Sequence, residues 1–396
     1  MKGPGGVTPE FRARWTIPLA MFVGSFAWSF VFVSLPFYIH RISTLDETST
    51  IRWTGWILGI SSLITVVTAP LSGRLAGRGD PKGFYMLVQL LQGAGFFLMA
   101  MARTLPQMLG ARVLLGLMGA SSTFAFIMAG RRTGGDVRRD ISAIQSGMTL
   151  GQVLGPPVGA FSAARMGFTE SFLLGGTLLW GCCVLVGFGV PGGAAPAAAE
   201  TRRGTTSIFE VATVCLLVLA ASTQIFFLTA ILPQVLPPLG VATTDTLEVG
   251  GLVIFVTGLA AAVGSLVAPR LGELVGDLRA IVWFLAVSSL LLAAQALAPE
   301  VWTFGALRFL QVLCIAPIFP LSVAAIAQRS SGTAIGFVNS SRIGAAFLGP
   351  VVATTVLTMA PVWTVYVLLA GFGLAVVPLL RRAFRGRGGA ADMMAA

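Results

Sequence analysis

The sequence predicts an all-α integral membrane protein: twelve transmembrane helices arranged as two parallel six-helix pseudo-repeats. Three observations carry that prediction. Of the 396 residues, 56% are hydrophobic and only 10% are charged, whereas a soluble domain carries about 25% charged residues. Apolar runs of about twenty residues recur along the chain, the length a helix needs to cross a bilayer. Residue pairs also recur at a nearly constant offset between the two halves, which is the mark of an internal repeat.

In chain order the spans run 15–39, 53–72, 84–102, 107–130, 141–164, 171–190, 209–236, 248–268, 280–298, 302–327, 333–358 and 362–380. Each must be a helix, because an open strand leaves its backbone groups unsatisfied in lipid. Lys2, Arg12 and Arg14 precede the first span and no Ala-x-Ala-type cleavage site follows. This predicts a retained span and no cleaved leader. Between the sixth and seventh spans lies PGGAAPAAAETRRGTT (191–206), the one obvious linker. The chain therefore divides into an N-terminal bundle (1–190), a linker (191–208) and a C-terminal bundle (209–396) ending in a short basic tail.

Charge sets the orientation. The net charge of +11 is distributed as short clusters between apolar runs, with no basic domain for nucleic acid. With the N-terminus inside, nineteen Lys and Arg residues fall on the inner side; Arg41, Arg52, Arg103 and Arg165 alone fall outside. The positive-inside rule then places both termini in the cytoplasm, in a multi-pass cell (inner) membrane protein. The four cysteines lie in apolar stretches without paired spacing, and there is one histidine. Neither a disulfide framework nor a metal centre is expected.

The repeat rests on three pairs. Leu35-Pro36 in span 1 matches Leu232-Pro233 in span 7, 197 residues later. Arg112 in span 4 matches Arg308 in span 10 at 196, and Gly155-Pro156 in span 5 matches Gly349-Pro350 in span 11 at 194.

GRLAGRGDPK (73–82), after span 2, resembles the G-x-L-A-D-R-x-G-R-K loop of the major facilitator superfamily. It departs where Gly77 replaces the usual aspartate and Asp80 the second glycine. PRLGELVGDLR (269–279), after span 8, keeps Glu273 and Gly276. RVLLG (112–116) resembles the fourth-helix R-x-x-x-G motif, and GQVLGPPVGA (151–160) the fifth-helix motif of the antiporter, or exporter, branch. The resemblance covers nearly the whole chain. It implies the major facilitator fold, alternating access and a site near the midplane between the repeats. By the same resemblance, gating falls to Gly73, Arg74, Arg78, Asp80 and Glu273, and to the span 5 and span 11 motifs.

In the span 5 motif, Gly151, Gly155 and Gly159 form a smooth ridge for close helix approach. Pro156 and Pro157 deprive the carbonyls of Gln152 and Val153 of partners, so a kink or flexion is expected. By resemblance the ridge packs on span 8, with Gly349 and Pro350 echoing it in span 11. Simple packing is the competing reading.

Arg112, Arg308 and Arg342 lie within spans, where a charge costs several kcal/mol unless it faces protein, water or a counter-ion. Arg112 and Arg308 are about 8–9 Å from their helix ends, within snorkelling reach. Arg342, near the midplane after Asn339, Ser340 and Ser341, is not. All fifteen acids fall in loops, tails or at span edges. Three embedded cations without an embedded carboxylate suit an anionic substrate held by guanidinium contacts. Gln224 and Gln311, on spans that line the cavity in the superfamily, and Asn339 complete the expected binding set. Gln89 and Gln92 are read as packing groups. For proton coupling only edge groups remain, Glu210 and His40 first, each of which also reads as a solvated interfacial residue.

The expected function is export of a small organic anion or a siderophore-like polycarboxylate, coupled to protons, by a monomer in the bilayer without cofactor. A multidrug/proton antiporter and a solute importer are the alternatives. A membrane enzyme is disfavoured because no span holds a nucleophile–base or metal-ligand cluster, and a sensor because no signalling domain is appended.

Overall fold

The computed structural model describes residues 9–119, 121–130, 137–190, 207–327 and 332–383. Among them the chain is helical throughout, with no strand. Span 1 is α1 (Pro9–Phe32) with α2 (Leu35–Ile42), span 2 is α3 (Glu47–Arg78) and span 3 is α4 (Pro81–Met101). Span 4 is α5 (Leu105–Leu117) with α6 (Ser121–Gly130), span 5 is α7 (Val137–Met166) and span 6 is α8 (Phe168–Gly189). Span 7 is α9 (Ile208–Phe226) with α10 (Leu228–Val235), span 8 is α11 (Thr246–Val275) and span 9 is α12 (Asp277–Ala294). Span 10 is α13 (Val301–Ile315) with α14 (Ile318–Ala327), span 11 is α15 (Gly332–Leu357) and span 12 is α16 (Val362–Ala383).

Eleven of these rods are long and apolar enough to cross a membrane. The twelfth, α7, has 30 residues, ample length at about 1.5 Å per residue. Its glycines, prolines and glutamines dilute its apolar character.

The broken rods are spans 1, 4, 7 and 10, every third crossing. α7 continues as one helix through Pro156 and Pro157, where a kink or flexion is expected. Two lost backbone bonds among thirty residues leave the flanking turns intact. α15 likewise runs through Pro350.

The chain forms two compact units: Met1–Thr44 with Ile60–Ala199, and Leu45–Gly59 with Glu200–Ala396. The start of α3 thus joins the second unit, unlike the single boundary expected from the linker. The reason is local. Trp56 meets the Phe347 ring edge-on at 5.6 Å, a Cβ on Gly59 would lie 2.9 Å from Phe347 Cδ2, and Arg52 Nε donates to Thr358 Oγ1 at 3.3 Å.

In the first unit, Ile17, Tyr85, Phe124, Met128 and Val186 share one buried core. The glycine ridge lies against α1. A Cβ on Gly151 would sit 2.7 Å from Phe26 N, and one on Gly155 2.7 Å from Ser29 Cβ and 2.9 Å from Phe30 N. No side chain fits there, so α1 and α7 approach backbone to backbone. These glycines serve a contact inside their own bundle.

The second unit repeats the device. A Cβ on Gly349 of α15 would lie 3.0 Å from Phe227 N, at the break in span 7. Its core holds Leu217, Leu285, Ile315 and Val376.

The loop before α4 is explained by capping. Asp80 accepts from the backbone N–H groups of Lys82 and Gly83, both at 3.1 Å, and is the N-cap of α4. Lys82 Nζ donates to the carbonyls of Gly187 (2.8 Å) and Val190 (2.6 Å), closing the C-terminus of α8. At the equivalent position 196 residues later, Gly276 takes φ 89° between α11 and α12, a backbone that favours glycine.

Candidate substrate site

Arg308 of α13 is fully buried in the second unit, and its side chain is consumed by protein acceptors. Nη1 donates to the Gln224 carbonyl and to Gln311 Oε1, both at 2.8 Å; Nη2 donates to the Ile225 carbonyl at 2.7 Å; Nε donates to Thr257 Oγ1 at 3.4 Å. The guanidinium also lies 5.3 Å from the Phe227 ring centroid. Gln311 Nε2 donates to Gln224 Oε1 at 3.3 Å, and Gln224 Nε2 to Ser289 Oγ at 3.1 Å and to the Leu369 carbonyl at 3.4 Å. Hydrogen bonds from a charged donor contribute about 1.5–3 kcal/mol each. Four of them offset an insertion cost of several kcal/mol. The structure therefore brings together three expected site residues, Arg308, Gln224 and Gln311, in a closed network that engages every guanidinium nitrogen with protein.

Arg112 of α5 is also buried. Its guanidinium lies 5.6 Å from the Trp28 ring and 5.7 Å from Phe32, beside the break in span 1. Trp28 Nε1 donates to Gln92 Oε1 at 3.2 Å, and Gln92 Nε2 to the Met118 carbonyl at 2.6 Å, at the break in span 4. Gln92 is thus the packing group the sequence suggests, with a definite task. Gln89 accompanies it as a buried partner of Tyr85, donating to its hydroxyl at 2.7 Å.

Arg342 stands apart. It is half-buried on α15, and its guanidinium lies 4.8 Å above the Phe319 ring of α14. Among the described residues this cation–π contact is its one polar engagement, with no carboxylate and no hydrogen-bond acceptor. Asn339, one turn earlier on the same helix face, is exposed. A guanidinium held on its aromatic side keeps its N–H fork free for an incoming acceptor.

The titratable candidates separate. Glu210 is in the first turn of α9, but it is buried, with 7% exposed, which corrects the reading of it as a solvated edge group. His40 is half-buried in the last turn of α2. Glu273 is exposed in the last turn of α11. Gly73, Arg74 and Arg78 fall in the final turns of α3, but their side chains lie outside the described residues. Outside the spans, Asp46 is held below its ordinary carboxyl pKa by hydrogen bonds from Ser49, at the start of α3. That interaction persists above the unfolded value and is lost as pH falls through the lowered one.

Sequence reasoning missed Phe319, Thr257 and Ser289. Thr257 was within reach of the repeat: it lies 196 residues after Ser61, whose hydroxyl donates to the Arg112 carbonyl at 2.6 Å. Both hydroxyls pair span 2 or span 8 with the arginine of the equivalent rod.

A family model described as Major Facilitator Superfamily matches residues 18–246. The chain belongs to the major facilitator superfamily. It is therefore a multi-pass membrane transporter of a small molecule and not an enzyme. Among similar proteins, the multidrug resistance protein MdtG of Proteus mirabilis (strain HI4320) is 24% identical over 301 residues, covering 73% of this chain and 74% of that protein. The protein of the same name from Serratia proteamaculans (strain 568) is 27% identical over 307 residues, covering 74% and 73%. Among solved structures, the nucleoside transporter NupG superposes with a TM-score of 0.74 at 13% identity, covering 95% of this chain and all of NupG. The human organic anion transporter MFSD10 gives 0.70 at 16% identity, covering 94% and 100%. At these identities the structures establish the fold.

Proposed function

We propose that the transporter is a secondary active exporter of small organic anions, working by alternating access in the cell membrane with both termini in the cytoplasm. The observation that carries this reading is Arg342: a half-buried guanidinium, backed by Phe319 and without an acidic partner among the described residues. Every described Asp and Glu lies in a loop or within the first or last turns of a helix, so nothing in mid-span competes for it. A carboxylate or polycarboxylate would take the Arg342 fork in bidentate fashion, with Asn339 as a second donor one turn away. Arg308, Gln224 and Gln311 take part as the frame behind this helix. Glu210, a carboxylate buried in the first turn of α9, is the preferred proton carrier.

A second reading, multidrug/proton antiport, is favoured by the names of the similar MdtG proteins. Under it Glu210 would be the group that answers a cationic drug. A proteoliposome screen separates the two: organic anions against lipophilic cations under an imposed pH gradient. Anion flux driven by the gradient supports the first reading, and cation flux alone replaces it with the second.

A further inference from the structure

We propose that Arg308 is a positioning residue that latches the break in span 7 open as the seat of span 11. The carbonyls of Gln224 and Ile225 would, in a continuous helix, accept from the amides of Leu228 and Thr229. Here α9 ends at Phe226 and α10 begins at Leu228, and both carbonyls are taken by Arg308 at 2.8 and 2.7 Å. The guanidinium thus replaces two links of the helical ladder with two charge-assisted bonds, and the interruption becomes a stable feature.

The seat follows from that interruption. Gly349 of α15 is placed on the interrupted backbone, where an added Cβ would lie 3.0 Å from Phe227 N and 3.3 Å from Phe226 C. The network around Arg308 joins five helices by hydrogen bonds: α9 through Gln224 and Ile225, α11 through Thr257, α12 through Ser289, α13 itself, and α16 through the Leu369 carbonyl. Among the described residues α15 adds no hydrogen bond to it. Span 11 is held there by shape alone. If the latch is removed, Leu228 and Thr229 recapture the two carbonyls, the break closes, and the amide of Phe227 leaves its place beneath Gly349. Span 11 then loosens while the other rods keep their packing. This goes beyond the anion reading and does not depend on it.

Hydrogen exchange of the full chain in nanodiscs, read by mass spectrometry with no solute added, tests the latch. In Arg308→Gln, peptides covering residues 340–358 should exchange at least about fivefold faster, with spans 5, 8 and 9 unchanged. Arg308→Lys, whose ammonium still offers three donors, should restore most of the protection. Unchanged exchange in span 11, or a uniform rise across the second unit, overturns the proposal. A residue whose task is to contact solute would leave solute-free exchange as it was. If Arg308→Gln does not fold, Gly349→Ala, which crowds the same seat with the latch intact, must speed exchange in 340–358; no change there overturns the proposal equally.

Discussion

Gly349 faces the backbone of Phe227 as Gly155 faces the backbone of Phe30. The added Cβ would lie 3.0 Å from the amide nitrogen in one case and 2.9 Å in the other. The two glycines are 194 residues apart and the two phenylalanines 197, so the sequence repeat is also a repeat of contacts. In each half the Gly-Pro helix is pressed against a rod that breaks within a few residues of the contact.

This geometry makes Gly155 intolerant of any side chain. Gly155→Ala should cost about 1–3 kcal/mol, the usual toll of overpacking, because its Cβ would meet Ser29 Cβ at 2.7 Å and the Phe26 carbonyl at 2.8 Å. Thermal unfolding of the purified protein checks it; an unchanged Tm would mean that α1 yields freely.

Gln92 bridges two broken rods, accepting from Trp28 and donating to the Met118 carbonyl. Gln92→Leu leaves both groups without a partner and should destabilise by about 1–3 kcal/mol per buried orphan. Trp28→Phe in the same background should then add little, because the bond it removes is already gone. Additive losses in the double-mutant cycle would count against the bridge.

Asp80 divides a capping role from a gating role. Asp80→Asn keeps an acceptor for the Lys82 and Gly83 amides and should retain stability and flux, whereas Asp80→Ala should lose about 1 kcal/mol of helix stability. Equal losses of flux in both variants, at unchanged stability, would assign the carboxylate charge to gating instead.

Much of the fold is legible in the sequence because it is written in local chemistry. Span positions follow from apolar length, and the pairing of Arg112 with Arg308 from a constant offset. Pro36, which cannot donate to the Phe32 carbonyl, marks the break in span 1, but the break in span 7 is not legible. The sequence around Phe227 is an ordinary apolar helix, and what holds it open is an arginine some eighty residues away. The partner of the glycine ridge escapes for a related reason: small residues announce a close approach and say nothing about which helix approaches. The burial of Glu210 depends on its neighbours in space, so its place at a span edge is a poor guide. Asp80 shows the opposite case, since Asp-Pro before an apolar run is itself an N-cap signal.

The proposed role of Arg342 is to receive the anion. Its most direct test is equilibrium binding of an anion identified in the proteoliposome screen, compared between the wild-type protein and Arg342→Gln, with folding verified by an unchanged Tm. Affinity should fall by at least about tenfold, or about 1.4 kcal/mol, with partial recovery in Arg342→Lys. Wild-type affinity in a folded Arg342→Gln protein would contradict it.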